Sequence, residues 1–271
     1  MSLLDPPATG LALTDLGTTP ELPEVLLQPA TSDLPLVWRP HTGEHPGLCD
    51  YQTAVYWMET LVARPADCPD VLLAVEHPPV ATLGRRGGRE YLLGTHWHHP
   101  DGTDVELQVH EVGRGGKITM HAPGQLVVYP VVQLPKLAGP IGGKPLGDLP
   151  LLVRHLEHAI IETCRAFGLL TVRKEGFPGV WTGDQRKIAS VGLGVRHGWS
   201  FHGLGFNVCP HLELFSLMVP CGLDGAQLTS LWRELDELGL PRPPMAEVRA
   251  RLLQELAKGL RRKVAALDLP Q

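Results

Sequence analysis

Cysteine is scarce in this chain and follows no pattern. Five cysteines, an odd number, are scattered over 271 residues, so no disulfide framework is expected and a reduced interior fits better. No apolar run approaches the ~18 residues of a membrane-spanning helix. The N-terminal MSLLDPPATG has neither the basic start nor the apolar run of a signal peptide. A cytoplasmic protein with no membrane segment is the expectation. Positive charge is not in excess: Lys and Arg number 24 against 29 Asp and Glu, a net charge of −5, so no global field suggests nucleic acid as a partner. A G-x-S-x-G serine elbow, a Walker loop and the spacing of a dinucleotide fingerprint are all absent. His96, His98 and His99 lie close together, but no cysteine or carboxylate spacing completes a site around them, and no metal is expected.

The acidic excess is local. Residues 1–35 hold Asp5, Asp15, Glu21, Glu24, Asp33 and six prolines, with no Lys or Arg, and the remainder balances at 24 acidic and 24 basic residues. The segment reads as a weakly ordered Pro-rich acidic arm. The alternative is that Glu24–Gln28 packs as one turn on the body. From Leu36 onward the chain has a globular composition, being 43% hydrophobic and 20% charged overall.

Leu36–Trp38 reads as a short strand, Val71–Glu76 and Val80–Leu83 as two more, and Leu126–Val132 as another. Trp97–Asp104 reads as a hairpin loop. Val105, Leu107 and Val109 alternate as one half-buried strand. Asp50 is placed to cap a helix bearing Ala54, Val55, Met58, Leu61 and Val62 on one face. Asp148–Gly168 is the clearest helix, with Pro150 in its first turn and Gly168 at its C-cap. Lys187–Arg196 and Ser200–Val208 alternate as strands about a turn at His197-Gly198. Asp224 is expected to cap a helix reaching Leu238, with Gln227 at the capping-box position. A basic helix over about Met245–Ala266 closes the chain. Paired strands separated by few helices mean α+β or mixed α/β, not a βαβ repeat.

Candidate chemistry gathers in four places. Gly113–Gln125 is a Gly-rich connection between strands, with polar tips from Arg114, Thr119, His121 and Gln125, or else a plain connection with surface charges. Leu83–Arg89 is a second Gly/Arg loop, suited to an anionic group or else a solvated turn. Cys221, in Pro220-Cys221-Gly222, precedes an expected helix start, where a positive helix terminus favours thiolate. Cys209, at the end of an apolar strand, is its rival, and Cys164 belongs on an apolar helix face. Lys187 heads an apolar strand rich in small residues, a setting from which a lysine lowers a thiol's pKa and relays its proton. His202-Gly203 and Asn207 add polar groups beside Gly192 and Gly194.

Together these residues closely resemble the lipoyl(octanoyl) transferases, which move an octanoyl group from acyl carrier protein to a lysine of lipoyl domains. The family's His-Pro-Pro-Val-x-Thr-Leu-Gly-Arg stands as His77–Arg85, its Arg-Gly-Gly-x-x-Thr-x-His-Gly-Pro-Gly-Gln as Arg114–Gln125, its Lys-Ile-Ala-x-x-Gly as Lys187–Gly192, its His-Gly-x-x-x-Asn as His202–Asn207, and Pro-Cys-Gly as Pro220–Gly222. Two positions depart. Ala122 replaces a glycine, which narrows the acyl pocket or asks for a different turn, and Gly205 stands where alanine is usual. The resemblance implies a mixed β-sheet flanked by helices, like the catalytic domains of biotin and lipoate protein ligases. It implies a catalytic domain over 36–241; the basic helix of 242–271 falls largely outside the matched motifs and is expected, on its own account, to pack on the same domain. It also implies a catalytic pair, Cys221 and Lys187, working through a cysteine thioester. Substrate is expected at Arg85, Arg114, Gly115, Gly116, Thr119, His121, Ala122, Pro123, Gly124, Gln125, Ser190, Val191, Gly192, His202, Gly203 and Leu204. The implied donor is octanoyl-acyl carrier protein, whose thioester needs no ATP. The implied acceptors are lipoyl domains of 2-oxoacid dehydrogenase complexes and the glycine cleavage H protein. An ATP-dependent lipoate or biotin ligase, and a non-catalytic carrier-protein binding module, are the competing readings.

Overall fold

The computed structural model describes residues 36–38, 48–98, 102, 104–134, 149–183, 185–219, 227–260 and 265–267. The acidic arm, Asp224 and Cys221 lie outside the described residues. The strands are β1 (Leu36–Trp38), β2 (Val71–Val75), β3 (Val80–Leu83), β4 (His96–His98), β5 (Asp104–Glu106), β6 (Gln108–Glu111), β7 (Ile118–His121), β8 (Gln125–Val131), β9 (Thr171–Lys174), β10 (Phe177–Thr182), β11 (Lys187–Arg196), β12 (Trp199–Asn207) and β13 (Ala265–Leu267). The helices are α1 (Tyr51–Val62), α2 (Leu149–Ala166), α3 (Leu231–Glu237) and α4 (Met245–Gly259).

Eight strands form the main sheet in the order β13-β1-β2-β8-β12-β11-β10-β9. The β13–β1–β2 pairings are parallel and the others antiparallel. A small sheet, β6-β3-β7, and the hairpin β4-β5 complete the mixed α+β architecture. Strand alternation assigns the layers. Leu126 and Val128 of β8, with Leu72 and Ala74 of β2, face a core shared with Leu152, Leu156 and Ile160 of α2 and Leu252 and Leu256 of α4. Val127, Tyr129 and Val131, with Val71, Leu73 and Val75, face Trp57, Met58 and Leu61 of α1. A third cluster holds the small sheet together through Ala81, Met120, Ala122 and Phe215.

Most expected elements form where their patterning requires. Asp50 caps α1, its carboxylate accepting from Gln52 N (2.8 Å) and Thr53 N (3.1 Å). His197 and Gly198, with φ of 52° and 81°, make the two-residue turn between β11 and β12, as a hairpin of this hand requires.

Four expectations change. Gly113–Gln125 is not a connection throughout, because Ile118–His121 forms β7 and pairs with β3. Val105, Leu107 and Val109 do not form one strand. The chain breaks at buried Leu107, whose N–H donates to Thr95 O (2.7 Å), so that β5 pairs with β4 while β6 pairs with β3. His96 and His98 accordingly lie on a strand. The helix expected from Asp224 starts instead at Leu231, with Ser230 as its cap. Leu228 packs in the small-sheet cluster while Leu231 and Leu235 pack in the main core, and one helix face cannot serve both. The last helix stops at Gly259, and residues 265–267 return as β13.

Replacing Asp50 by alanine removes the carboxylate oxygen Oδ2 that accepts both capping hydrogen bonds of α1. It should cost about 1 kcal/mol of stability, read as a lower urea midpoint at unchanged m-value. A midpoint equal to wild type would mean that α1 is held by packing alone.

Candidate active site

The site is a narrow cleft on the α1 side of the main sheet, lined by Tyr51, Arg114, Thr119, His121, Tyr129, Ser190, Gly192, His202, Gly203, Leu204 and Gly205. Its floor follows from alternation. Ala189, Leu193 and Leu204 face the α2–α4 core, and Val191 packs against it. Ser190, Gly192, Gly203 and Gly205 therefore fall on the other face, where small side chains leave room. His202 breaks the alternation with a φ of 57°, a conformation costing a non-glycine residue on the order of 1–3 kcal/mol. Phe201 packs in the α1 cluster while its neighbours His202 and Gly203 line the cleft.

Eight of the expected substrate residues meet at this cleft: Arg114, Thr119, His121, Ser190, Gly192, His202, Gly203 and Leu204. The others do not line it. Gly115 is bound through its N–H to Leu193 O (2.8 Å), and the Gly116 carbonyl accepts from Arg86 N (3.2 Å), so both shape the loop that carries Arg114. Arg85 is exposed and anchored by its N–H to Arg114 O (3.0 Å). Val191 faces the core. Pro123 and Gly124 form the turn between β7 and β8. Ala122 is 1% exposed, with its methyl in the small-sheet cluster. It avoids the positive φ that would demand glycine, so the extra methyl neither narrows the cleft nor strains the turn. Gln125 stands behind His121. Tyr51 and Tyr129 are lining residues that the sequence did not single out; being aromatic, they read as core.

A buried hydrogen-bond relay sets the polarity of the cleft. Asn207 Nδ2 donates to Thr229 O (3.0 Å), which leaves Asn207 Oδ1 to accept from Gln125 Nε2 (2.9 Å). Gln125 Nε2 also donates to Met120 O (3.2 Å). Gln125 Oε1 is then the acceptor facing His121 Nδ1 (2.6 Å). Because carbonyls only accept, every amide orientation in the chain is determined, and His121 carries its proton on Nδ1. Its Nε2 is an acceptor. Gly205 helps here: a Cβ at 205 would lie 2.8 Å from Gln125 Oε1, so glycine gives the amide the room it uses. His77 follows the same logic. Its Nδ1–H donates to Cys49 O (2.6 Å), and Tyr129 O–H donates to Nε2 (2.7 Å).

Arg114 brings positive charge into this setting while only 6% exposed. Its guanidinium donates to Thr82 O (2.6 Å), Thr82 Oγ1 (2.7 Å) and Gly115 O (3.0 Å). Burial pushes His77 down to about 4. Burial first, then neighbouring His77, takes His121 down to about 3, and burial with the Arg114 charge does the same for His202. All three are neutral near pH 7.

Lys187, at the head of β11, is 2% exposed. Its Nζ donates to Pro178 O (3.0 Å) and lies 5.2 Å from the Trp181 ring centroid. The chain that follows the Pro-Cys-Gly segment runs beside it: Lys187 N donates to Gln227 O (2.8 Å), and Thr229 N donates to Lys187 O (3.0 Å). The chain that precedes that segment is tied by Val219 N to Tyr91 O (2.8 Å). Cys221 itself lies outside the described residues. Cys49, Cys68 and Cys164 are buried. Cys209 is half-buried, and burial with the Glu76 charge pushes its thiol up to about 11, which keeps it protonated and a poor nucleophile. Among the described residues no cluster of three His, Cys, Asp or Glu can hold a metal, and no helix is long and apolar enough to cross a membrane.

The chain and its fold have known counterparts. Residues 50–257 match the lipoyl protein ligase A/B catalytic domain, and the chain belongs to that family. Solved structures share the fold. Lipoate-protein ligase A bound with ATP superposes with a TM-score of 0.62 at 14% identity, covering 87% of this chain and 90% of that one. The bipartite lipoate protein ligase of Thermoplasma acidophilum gives 0.58 at 14% identity, covering 87% of each chain. Sequence relatives narrow the class. An octanoyltransferase of Desulfovibrio desulfuricans is 40% identical over 186 residues, 69% of this chain and 72% of its own length. One of Xylella fastidiosa is 43% identical over 195 residues, 72% and 75% of the two chains. The protein is an acyltransferase of this group.

Two outcomes follow from the buried histidines. Nitrogen-15 NMR at pH 7 should show His77 and His121 as neutral Nδ1–H tautomers; a proton on Nε2 of His121 would break the relay. The second outcome concerns stability. All three histidines sit below the ~6.5 of an unfolded chain, so in mild acid the unfolded chain binds protons that the fold excludes. Their contribution is complete above about pH 6.5 and is lost as pH falls toward the folded values. Each should add about 1.4 kcal/mol per pH unit to the slope of unfolding free energy between roughly pH 6 and 4. Urea titrations of wild type and His77→Gln would measure it, and an equally steep variant would remove His77 from the account.

Proposed function

We propose that Cys221 and Lys187 carry out the octanoyl transfer that this enzyme performs in protein lipoylation, through a cysteine thioester. The observation that carries the reading is the backbone pairing of Gln227 and Thr229 with Lys187. It ties the chain leaving the Pro-Cys-Gly segment to a buried lysine that heads a strand beside the cleft. The high thiol pKa of Cys209 supports it by weakening the rival nucleophile.

In the first step Cys221 thiolate attacks the carbonyl of an octanoyl thioester on the phosphopantetheine arm of acyl carrier protein. The new C–S bond forms as the carbonyl becomes a tetrahedral oxyanion; collapse of the oxyanion breaks the old C–S bond, and Lys187 hands the departing thiolate its proton. In the second step the amine of an acceptor lysine on a lipoyl domain attacks the acyl-enzyme. Lys187 takes the amine proton, the amide forms, and Cys221 leaves as thiolate. Acceptors are lipoyl domains of 2-oxoacid dehydrogenase complexes and the glycine cleavage H protein. Neutral His121 and His202 and the aromatic walls of Tyr51 and Tyr129 suit an uncharged acyl group, while Arg114 offers charge to the developing oxyanion. Thioester to amide is downhill, so no ATP is required; we assign the reaction no metal and place it in the cytoplasm.

Intact-protein mass spectrometry after mixing with octanoyl-acyl carrier protein, acceptor withheld, tests this. Wild type should gain one hydroxylamine-labile octanoyl group and Cys221→Ala none. Lys187→Met should acylate slowly, and Lys187→Arg should not restore the rate, because arginine does not give up its proton near neutrality. An adduct mapped to Cys209, turnover by Cys221→Ala, or dependence on ATP would refute the reading.

A further inference from the structure

Glu157 is an anomaly on α2. It is a carboxylate only 6% exposed, on the face that otherwise buries Leu152, Leu156 and Ile160, and the transfer chemistry makes no use of it. Its Oε1 accepts from Gly179 N (2.8 Å), and its Oε2 pairs with Arg173 Nε (3.2 Å). Gly179 lies in an irregularity of β10: Phe177 pairs with Lys174, Val180 pairs with Arg173, and the two residues between are extra on the β10 side. Those two are Pro178, which has no N–H to lose, and Gly179.

The peptide bond joining Pro178 to Gly179 is trans, since the described residues contain no cis bond. In a trans peptide the C=O and N–H point in opposite directions. Glu157 grips the N–H on one side. The C=O on the other side is the acceptor of Lys187 Nζ, at 3.0 Å. Gly179 itself has a φ of +126°, and a Cβ there would meet Ala189 O at 2.3 Å and Lys187 Cε at 2.7 Å. Only glycine lets this peptide lie against the lysine stem.

We propose that Glu157 is a positioning residue for Lys187, acting through the Pro178–Gly179 peptide, so that the carboxylate on α2 sets where the ammonium group is held. The proposal rests on the role given to Lys187 above. Anchoring the N–H fixes the orientation of the carbonyl, and the carbonyl fixes the ammonium. The negative charge behind the N–H also polarises the peptide, strengthening the carbonyl as an acceptor. Arg173 holds the other carboxylate oxygen and keeps the grip from rotating away.

The test compares Glu157→Ala, Glu157→Asp and Glu157→Gln in the full-length enzyme, with octanoyl-acyl carrier protein as donor. Glu157→Ala should lower kcat roughly 10- to 100-fold, as a misplaced catalytic group does, with KM for the donor little changed. Glu157→Gln keeps an acceptor oxygen and should recover most of the loss. Glu157→Asp, whose carboxylate stops one methylene short, should fall between. In enzyme labelled with carbon-13 lysine, the Lys187 Cε resonance, identified by its absence in Lys187→Met, should move in the alanine and aspartate variants and stay in the glutamine variant. An unmoved resonance, or wild-type kcat, in Glu157→Ala overturns the proposal; if that variant does not fold, the same results in Glu157→Asp overturn it. Wild-type activity in Lys187→Met would instead bring down the role of Lys187 itself. An impaired Lys187→Met beside a fully active Glu157→Ala brings down only the role of Glu157.

Discussion

The rest of the molecule depends on the burial of β8 on both faces. All seven of its residues are buried, and it pairs with β2 on one side and β12 on the other. Its even-numbered apolar residues build the α2–α4 core and its odd-numbered ones the α1 core, so a slip of one residue would exchange the two. Its first residue, Gln125, is the middle of the relay that orients His121. The hydrophobic register of the sheet and the proton position in the cleft are therefore set by the same strand. Tyr129 makes the link closer, since one side chain belongs to the α1 core, the cleft wall and the His77 hydrogen bond.

The cleft concentrates ionisable groups but little charge. His121 and His202 line it and His77 stands next to His121; burial keeps all three neutral, and the Arg114 charge adds to the effect at His121 and His202. Arg114 spends its donors on Thr82 and Gly115, which fixes its geometry before any substrate arrives. This is preorganisation: dipoles and charge are in place at the cost of folding stability and need no reorientation during the reaction. His202 adds strain to the same account.

Where local patterning decided structure, the sequence was readable. The Asp50 cap, the α2 stripe with Gly168 after it, and the β11–β12 hairpin all rest on interactions within a few residues. The misreadings share a cause. Val105, Leu107 and Val109 alternate faultlessly, but alternation does not say which sheet a strand joins. Asp224 with Gln227 looks like a capping box, yet Gln227 pairs with Lys187, forty residues away, and only tertiary contact reveals it. At the site, motif residues split into those that touch the cleft and those that shape its loops, and a motif does not separate the two. Tyr51 and Tyr129 were hidden because an aromatic on a buried face reads as packing. Glu157 did carry a signal, a carboxylate inside an apolar helix stripe, but its partner is a backbone amide that sequence does not name.

The main sheet brings together strands at opposite extremes of sequence separation. The β11–β12 pair closes across a two-residue turn, whereas β1, at residues 36–38, pairs with β13 at 265–267. Loop-closure entropy makes the second contact dear until the intervening sheet exists to shorten it. During synthesis from the N-terminus, the outer side of β1 has no partner until Ala265–Leu267 is made, and an unpaired strand edge invites association with other chains. The hairpin carrying Ser190, Gly192 and His202 can form early and locally. The sheet's far edge can close only late, so crowding during translation endangers this protein at the end of the sheet away from its active site.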